Sequence, residues 1–383
     1  MKILQVIPHF NPHCGGDVNV CYHLSQHLAN RGHEVTIFTT DFEFDETYAN
    51  SLSGVRVVPF HCFLNIQLFL YASRMKKELK KEIKNFDIIH VHDFRTYQNA
   101  VIHRYAKKFD IPYILQAHGD IPIIIEKHIL KKLYDLIWGN KILRDAATVI
   151  AVSKTEVEQY IQFGVNKNKI VIIPNGIDIK EFKDLPVYGK FRKGINIKED
   201  YLILYLGRIH KIKGIDFLIK SFSELIKEVD NVKLVIVGPD GGYKIEIEKL
   251  VTILNLNEKV KFIGYVNEKD KSSAYVDADL LVYPSIFEIF GLTPFEAIMC
   301  DTPVIVTDDC GCGEKVREAN CGYLVKYGDG DDLKEKMKLI IENPLMGSEM
   351  IKNGRNYIHK NLAWDTVIRK FETVYSELKR KNC

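Results

Sequence analysis

Short apolar runs alternate along this chain with segments of helical length, and this alternation limits the possible folds more than any other feature. The runs are rich in Val and Ile and are bounded by Gly, Pro and Asn. Buried strands of parallel sheets have this composition, because helices cover both faces of such sheets. The sequence therefore predicts an α/β protein with doubly wound parallel sheets. The predicted strands are Lys2–Ile7, Glu34–Thr39, Val55–Phe60, Asp87–Val91, Tyr113–Gln116, Thr148–Val152 and Ile170–Ile173, then Leu202–Leu206, Lys233–Val237, Lys261–Ile263, Leu280–Tyr283, Val304–Thr307 and Tyr323–Val325.

The length of the chain and the repetition of this pattern indicate two domains. A chain of 383 residues exceeds the size of one ordinary hydrophobic core. The polar, proline-containing segment 182–186 follows the last strand of the first half. We expect an N-terminal domain over 1–184, joined by the C-terminal helical segment 364–383, and a C-terminal domain over 185–363. The predicted helices include Val18–Asn30, Gln67–Lys84, Tyr97–Lys108, Asp216–Glu228, Ile245–Leu254, Leu333–Ile341 and Trp364–Lys379.

Composition excludes several classes of protein. Basic and acidic side chains number 53 and 50, so there is no overall nucleic-acid signature. No apolar stretch approaches the length of a membrane span, and the apolar run at the N-terminus is too short for a signal peptide. We expect a cytoplasmic protein with reduced thiols. Cys310 and Cys312 are separated by one residue, which is poor spacing for structural zinc.

The segment Ser285–Glu296 carries the strongest chemical signal. It follows the predicted buried strand that ends at Tyr283, and Thr293-Pro294-Phe295-Glu296 has the pattern of an N-cap, a first-turn proline and a capping box. The backbone N–H groups of a helix start attract phosphate. Glu288, in the loop before it, accepts hydrogen bonds from hydroxyls. Phosphate and hydroxyls together describe a nucleotide sugar, although Glu296 can also serve only as a cap.

This segment resembles the E-x7-E signature of the retaining glycosyltransferase family 4. The resemblance implies a GT-B fold, with two Rossmann-like domains facing across a cleft and a last helix that crosses back to the first domain. It also implies that Glu288 meets the transferred sugar and Glu296 the ribose. Gly291 and Leu292, at the helix start, would then lie near the diphosphate. In the family, retention is attributed to same-face attack, with the leaving phosphate helping to deprotonate the acceptor.

A second loop, Gly207–Gly214, follows a predicted strand and opens a helix. Arg208 and Lys213 place two cations in this loop, which suits a diphosphate whose charge grows as the sugar departs. The family carries G-R-x4-K-G here and assigns the Arg and the Lys to the diphosphate, whereas Lys211 matches neither position and is expected to be solvated. Gly207 allows close backbone approach. By resemblance, Val266 lies near the edge of the nucleotide base.

The N-terminal half is expected to hold the acceptor. Gly15-Gly16 matches a family loop that meets the donor phosphate and the acceptor, so Gly16 is a candidate, while Asp17 is better explained as a helix N-cap. His118 ends a strand, precedes a glycine and matches a family histidine close to the transferred sugar. As a donor it would suit a hydroxyl or a phosphate.

Other polar groups at strand ends leave alternatives open. His90 and His92 share one face of a strand and are either metal ligands or part of a wall near the acceptor. The loop 307–314 departs from the family's paired glycines, because Cys312 separates Gly311 from Gly313. Asp277 and Asp279 lie at the wrong end of their strand to hold a donor metal. We expect neither a catalytic metal nor a cofactor.

The predicted function is transfer of a hexose-type sugar from a nucleoside-diphosphate sugar to a carbohydrate, lipid-linked or small-molecule hydroxyl. The alternatives are another GT-B enzyme, such as an epimerase or a phosphorylase, and a non-enzymatic nucleotide-sugar-binding protein. Two basic stretches, Tyr71–Lys84 and Lys127–Arg144, are either solvated helix faces or contacts with the inner face of a membrane. The sequence does not indicate an oligomeric state.

Overall fold

The computed structural model describes residues 1–66, 69–123, 128–308 and 310–381. The chain divides into two compact units, and we call Met1–Gly176 with Trp364–Cys383 unit 1 and Ile177–Ala363 unit 2. This division falls earlier than the predicted boundary after residue 184. The reason is that Ile177 bridges to Ala363 and its N–H donates to the Leu362 carbonyl at 2.8 Å, so the segment after Gly176 joins unit 2.

Unit 1 contains a parallel sheet with the strand order β3-β2-β1-β6-β7-β8-β9. All seven predicted strands of the first half are present with ends shifted by at most a residue. The strands are β1 Lys2–Val6, β2 Glu34–Thr40, β3 Val55–Phe60, β4 Leu64–Ile66, β5 Phe69–Tyr71, β6 Ile88–His92, β7 Tyr113–Gln116, β8 Thr148–Ala151 and β9 Ile170–Ile172. The helices are α1 Gly16–Asn30, α2 Glu46–Asn50, α3 Ser73–Glu82, α4 Tyr97–Phe109, α5 His128–Tyr134, α6 Asn140–Asp145 and α7 Lys154–Gln162.

The helix predicted over Gln67–Lys84 is wrong in its first part. An antiparallel hairpin of β4 and β5 stands before α3, which begins only at Ser73. The aromatic rings of Phe69 and Tyr71 lie 5.3 and 5.0 Å from the ring of Tyr97, so packing against α4 favours an extended segment. Gln67 lies outside the described residues.

Unit 2 repeats the architecture with a six-stranded sheet, in the order β12-β11-β10-β13-β14-β15. All of its paired strands are parallel, as predicted. The strands are β10 Tyr201–Leu206, β11 Val232–Val237, β12 Val260–Gly264, β13 Leu280–Tyr283, β14 Val304–Thr307 and β15 Tyr323–Val325. The helices are α8 Lys190–Gly194, α9 Ile215–Leu225, α10 Lys244–Ile253, α11 Glu268–Asp277, α12 Leu292–Met299, α13 Gly311–Ala319, α14 Gly330–Glu342 and α15 Pro344–Tyr357.

The last helix, α16 Trp364–Lys381, belongs to unit 1 although the chain enters it from unit 2. Its apolar face, including Phe371 and Tyr375, packs in one buried cluster with Leu24 and Leu28 of α1. The predicted return of the C-terminal helix to the first domain is therefore confirmed. Among the described ranges, no helix combines the length and apolar character needed to cross a bilayer.

Candidate functional site

In unit 2, the two predicted donor loops lie beside each other. Strands β10 and β13 pair in parallel, so the loops that follow their carboxyl ends meet at one edge of the sheet. The loop after β10 forms a 3₁₀ turn over Lys211–Lys213 and then enters α9. The Ile286 N–H donates to the Ile212 carbonyl at 2.8 Å, which joins the two loops directly.

Lys213 and Glu288 form the centre of this edge. The Lys213 ammonium lies 2.6 Å from a Glu288 carboxylate oxygen, and the Tyr283 hydroxyl donates to the same oxygen at 2.7 Å. Lys213 also lies 3.2 Å from the Tyr283 hydroxyl, and all three side chains are largely shielded from solvent. The structure therefore brings together two of the predicted site residues. It adds Tyr283, which sequence reasoning missed although it ends the strand before Glu288.

The electrostatics keep Glu288 ionised. Burial alone raises the pKa of this carboxyl group, but the Lys213 charge and hydrogen bonds from Lys213, Tyr283 and the Phe290 backbone outweigh it. The pKa of Glu288 therefore lies below its ordinary value. Burial and the adjacent Glu288 charge raise the pKa of Tyr283 far above its usual range, so the phenol remains a donor. The site holds one cation and one anion in direct contact.

Gly291 sets the start of the helix beyond Glu288. Its φ is +72°, and a Cβ there would stand 2.9 Å from the Cys312 sulfur and 3.1 Å from the Glu288 Cγ. Helix α12 begins at the half-buried Leu292, and no side chain in the described part of the chain caps its N-terminus. The first N–H groups of α12 are therefore suited to an anionic ligand.

The predicted capping box at this helix is wrong. Because the turn at Gly291 starts the helix before Thr293, Glu296 lies too far along the helix to reach back to a cap. Its carboxylate instead accepts a hydrogen bond from Tyr275 at 2.9 Å and lies 3.2 Å from the Lys271 ammonium. Glu296 is buried against α11 through these two contacts.

The other residues predicted to contact the donor lie at different positions along the same sheet. Arg208 is exposed, and its aliphatic stem packs so tightly on Gly241 that a Cβ there would lie 2.8 Å from the Arg208 Cγ. Gly207, the preceding residue, donates its N–H to the Val237 carbonyl at 2.9 Å. Val266 follows the edge strand β12, and two strands separate that strand from β13.

The start of α13 supports Glu288 through its backbone. The Cys312 N–H donates to the Glu288 carbonyl at 3.1 Å, and the buried Cys312 side chain lies against Gly291. The side chain of Cys312, which separates Gly311 from Gly313, therefore packs against the turn that follows Glu288. Its neighbour Asp309 lies outside the described residues.

In unit 1, the glycine loop and Asp17 are placed at the start of α1. The helix begins at Gly16, which is exposed, with Gly15 as its N-cap. The predicted N-cap role of Asp17 is therefore wrong, because Asp17 stands inside the first turn. Its carboxylate instead shares a hydrogen bond with the buried carboxyl group of Asp93. Burial and the charges of Asp17 and Asp120 raise the pKa of Asp93 well above its ordinary value.

His118 stands at the end of a chain of buried polar groups. Its Nε2 lies 2.9 Å from Nδ1 of His92, and Nε2 of His92 lies 2.8 Å from the Gln5 carbonyl oxygen. The Gln5 amide nitrogen is 3.5 Å from the Tyr375 hydroxyl, which lies 2.7 Å from Nδ1 of His90. His90 and His92 thus form part of a hydrogen-bonded wall that extends to α16.

The hydrogen-bonded chain favours one tautomer of His118. Burial lowers the pKa of His118 to about 4 and holds the pKa of His92 well below its ordinary value, so both rings are neutral. Because the Gln5 oxygen accepts from Nε2 of His92, the Nδ1 of His92 has no proton and accepts from Nε2 of His118. His118 is therefore left with a lone pair on Nδ1. The role of His118 toward a ligand stays a prediction.

The two basic stretches of unit 1 differ in their exposed faces. In α3 the apolar side chains Met75 and Leu79 are buried, and the outer face is charged. In the segment 128–145, by contrast, Ile129 is 83% exposed and Leu136 is 74% exposed. Leu130, Leu133 and Ile137 are also exposed along the same helical stretch, beside the exposed Lys132, Lys141 and Arg144. Lys127 lies outside the described residues.

Two family models match the two halves of the chain. The model described as "Glycosyltransferase Family 4" matches residues 14–181, and the one described as "Glycosyl transferases group 1" matches residues 188–357. Together they span most of the sequence, including both groups of site residues. The chain belongs to this glycosyltransferase family.

Similar proteins match the glycosyltransferase over nearly its whole length. An uncharacterized glycosyltransferase of Methanocaldococcus jannaschii is 27% identical, with 98% of each chain covered. An N-acetyl-alpha-D-glucosaminyl L-malate synthase of Bacillus anthracis is 26% identical, with 96% of each covered. A crystal structure of HepE from Anabaena in complex with UDP-glucose has a TM-score of 0.82 at 22% identity, covering 98% of this chain and 100% of that chain. The shared architecture is the GT-B fold.

Proposed function

We propose that this glycosyltransferase is a retaining enzyme that moves a hexose-type sugar from a nucleoside-diphosphate sugar to an acceptor hydroxyl. The observation that carries the proposal is the Lys213–Glu288 pair beside the uncapped start of α12 in unit 2. A cation and free backbone N–H groups suit a diphosphate, and a carboxylate suits sugar hydroxyls. The structural neighbour with bound UDP-glucose supports the same class of donor.

Donor binding would exchange the partners of Lys213. In the unliganded arrangement the ammonium is neutralised by Glu288. A diphosphate bound between Lys213, Arg208 and the first N–H groups of α12 would interact with the same ammonium group. Glu288 would then accept a hydrogen bond from a sugar hydroxyl. As the bond between the anomeric carbon and the phosphate oxygen breaks, these same groups stabilise the growing negative charge. The leaving phosphate oxygen would take the proton of the acceptor hydroxyl as the new glycosidic bond forms on the same face.

We assign the acceptor side to unit 1. The lone pair on Nδ1 of His118 can accept a hydrogen bond from a hydroxyl, which helps to orient it. Carboxyl groups from Asp17, Asp93 and Asp120 interact with one another near this residue. Their charge disfavours a second diphosphate here. A polyhydroxy acceptor, by contrast, can donate to them.

We propose that the exposed apolar face of residues 128–145 binds an anionic lipid surface. Exposed leucine and isoleucine side chains flanked by Lys and Arg are the pattern of a helix that lies in a membrane interface. The hairpin next to it adds exposed Phe63, Leu64 and Ile66, and the Phe69 ring lies 6.3 Å from the Trp138 ring where the two meet. Lipid-linked acceptors would then be reached from the surface of the bilayer.

The reaction needs no cofactor and no metal at the donor diphosphate in this proposal. Arg208 and Lys213 supply the positive charge that Mg²⁺ provides in other enzymes. We expect full turnover after treatment with EDTA. Loss of turnover that Mg²⁺ or Mn²⁺ restores would contradict this assignment.

The proposed transfer is tested by screening donors and acceptors. Thermal shift with nucleoside-diphosphate sugars identifies the donor, and nucleotide release with that donor then identifies acceptors. Proton NMR of the product gives the anomeric configuration, which we expect to match that of the donor. An inverted product would overturn retention. Equal nucleotide release with and without every acceptor in a broad panel would overturn transfer.

The lipid contact is tested by sedimentation with vesicles. We expect binding to vesicles containing phosphatidylglycerol and weak binding to pure phosphatidylcholine, because each Lys or Arg near an anionic surface contributes about 1 kcal/mol. The double variant Leu133→Asp/Leu136→Asp should lose this binding. Lys77→Ala/Lys80→Ala, on the charged face of α3, is the matched control and should keep most of it. Unchanged binding by the leucine variant would place the contact elsewhere.

A further inference from the structure

Two neighbouring loops of unit 1 bring together three side chains of the kinds that coordinate metals in proteins. His9 and Cys14 lie in the loop between β1 and α1, and Glu43 lies in the loop between β2 and α2. Strands β1 and β2 pair in parallel, so both loops leave the same edge of the sheet. One imidazole nitrogen, the thiol sulfur and one carboxylate oxygen all lie within 4.8 Å of one another.

The chemistry of the three groups suits one kind of ion. Imidazole, thiolate and carboxylate together are zinc ligands, whereas Mg²⁺ and Ca²⁺ prefer oxygen alone. The Cys14 sulfur lies 3.7 Å from a Glu43 carboxylate oxygen. Two ligands of a tetrahedral zinc ion, at bond lengths of about 2.3 and 2.1 Å, stand roughly 3.6 Å apart. Cys14 and Glu43 therefore already have the spacing that two ligands of one zinc ion require.

The imidazole of His9 has one nitrogen without a hydrogen-bond partner in the described part of the chain. Its Nδ1 is shielded from solvent and has no hydrogen-bond partner among the described residues. A buried polar atom without a partner is unfavourable, and it commonly marks the position of an ion or a water molecule. Glu43 meanwhile adopts a left-handed backbone conformation, with φ at +52°, which non-glycine residues rarely take. Such a conformation persists where surrounding contacts impose it.

We propose that His9, Cys14 and Glu43 form a site for a single zinc-like divalent cation with a fourth position open to water. As the metal–sulfur bond forms, the Cys14 thiol releases its proton to solvent. The resulting thiolate and the Glu43 carboxylate balance the charge of the ion. Spacing along the sequence draws attention only to the cysteines near residue 310, whereas this site uses Cys14 and is formed by two loops that follow different strands.

Metal binding at this site would restrict the glycine loop. Cys14 immediately precedes Gly15-Gly16, so a bond from its sulfur ties the start of α1 to the loop after β2. The three residues belong to unit 1, whereas the groups that we assign to the donor diphosphate belong to unit 2. The proposal therefore does not depend on the proposed transfer reaction, and the metal is not required for turnover.

Cobalt titration of the full-length protein tests the proposal directly. Protein first freed of metal with a chelator is titrated with Co²⁺, which reports a bound thiolate by a near-ultraviolet charge-transfer band. We expect this band to saturate at one ion per chain and to disappear when Zn²⁺ is added in competition. Absence of the band, or a band that Zn²⁺ does not remove, would overturn the site.

Variants then assign the ligands. Cys14→Ser should abolish the band, whereas Cys62→Ser, which removes another partly exposed thiol of unit 1, should leave it unchanged. Glu43→Gln, an exposed substitution with little effect expected on folding, should weaken Co²⁺ and Zn²⁺ binding by about tenfold or more, and His9→Gln should do the same. A band that survives in Cys14→Ser, or affinity unchanged in both Glu43→Gln and His9→Gln, would exclude these residues as the site.

Discussion

The two units place opposite kinds of chemistry at equivalent edges of similar parallel sheets. In unit 2 the strand ends carry Lys213 and Arg208, with Glu288 ion-paired to the former. In unit 1 they carry a neutral histidine chain and a group of interacting carboxyl groups. Both arrangements follow from side chains placed just after parallel strands, where this class of fold binds ligands. The difference shows that the same scaffold can present either a cationic or an acidic surface.

This contrast supports a division of labour. A diphosphate carries charge that must be matched by cations and helix N–H groups, and unit 2 offers both at one place. Hydroxyls are matched by uncharged or anionic acceptors, which unit 1 supplies through His118 and the nearby carboxyl groups. The following predictions test this comparison, from the largest expected effect to the smallest.

The strongest test of the unit 2 site is Glu288→Gln. We expect turnover to fall by at least ~10²-fold, because the sugar loses the anionic acceptor that orients it and Lys213 loses its ion-pair partner. Affinity for the nucleoside diphosphate should stay within a few-fold. Steady-state nucleotide release and calorimetry measure the two quantities. Normal turnover would remove Glu288 from the site.

The three basic residues of the β10 loop test whether the charge is specific. Arg208→Ala and Lys213→Ala should each weaken diphosphate binding by roughly 1.5–3 kcal/mol, the usual cost of losing a charge-assisted hydrogen bond. Lys211→Ala, in the same loop and equally basic, should have little effect. Isothermal calorimetry with the free nucleoside diphosphate compares them. Equal losses in all three variants would indicate a diffuse basic surface instead of two defined contacts.

Substitutions in the histidine chain of unit 1 should change turnover with the acceptor without changing the affinity for the donor diphosphate. His92→Leu removes the acceptor that holds the Nε2 proton of His118, and we expect kcat to fall by about 3- to 10-fold, the effect of one neutral hydrogen bond. His92→Asn can keep an oxygen near the position of Nδ1 and should recover most of this loss.

The measurement is kcat and acceptor KM as a function of pH, with diphosphate affinity as the control. We expect the pH profile of His92→Leu to shift while that of His92→Asn follows the wild type. Equal losses in both variants, with an unchanged pH profile, would reduce His92 to a packing role. Weaker diphosphate binding in His92→Leu would break the comparison between the two units.

The smallest expected effect concerns the loop that carries His118. The buried Glu156 accepts the Gly119 N–H and the Val152 N–H, each at 2.8 Å. Burial, together with the Asp120 charge, raises the pKa of Glu156 from 4.5 to about 7. The folded protein therefore keeps this proton in a pH range where the unfolded chain has lost it. Its contribution to stability is complete below the unfolded pKa and is lost as pH rises through the folded pKa.

Thermal unfolding across this pH window measures the contribution of Glu156. We expect the Tm difference between the wild type and Glu156→Gln to shrink from about pH 5 to about pH 8, by linkage of at most roughly 1.4 kcal/mol per pH unit. A difference in Tm that does not change with pH would mean that Glu156 titrates normally. Glu158→Gln, which changes an exposed glutamate on the same helix α7, serves as the matched control.

Local pattern was a good guide to the strands and a poorer guide to helix starts. The strands were predictable because buried parallel strands are continuous apolar runs, whose composition does not depend on distant contacts. The capping box at Thr293 was wrong because Gly291 turns the chain earlier and Tyr275 offers Glu296 another partner. The hairpin before α3 was missed because its aromatic residues also fit a helix until Tyr97 is placed beside them.

The sequence by itself determined the fold class, the family and the identity of Arg208, Lys213, Glu288 and His118 as candidates. It did so because strand composition and short motifs are local properties of the chain. Only the tertiary structure decided that Lys213 pairs with Glu288, that Tyr283 joins them, and that His118 is hydrogen-bonded to His92. These facts depend on loops from different strands meeting at one sheet edge. Hydrogen-bond partners, and the protonation states that follow from them, are therefore fixed by the packing of the strands and not by spacing along the chain.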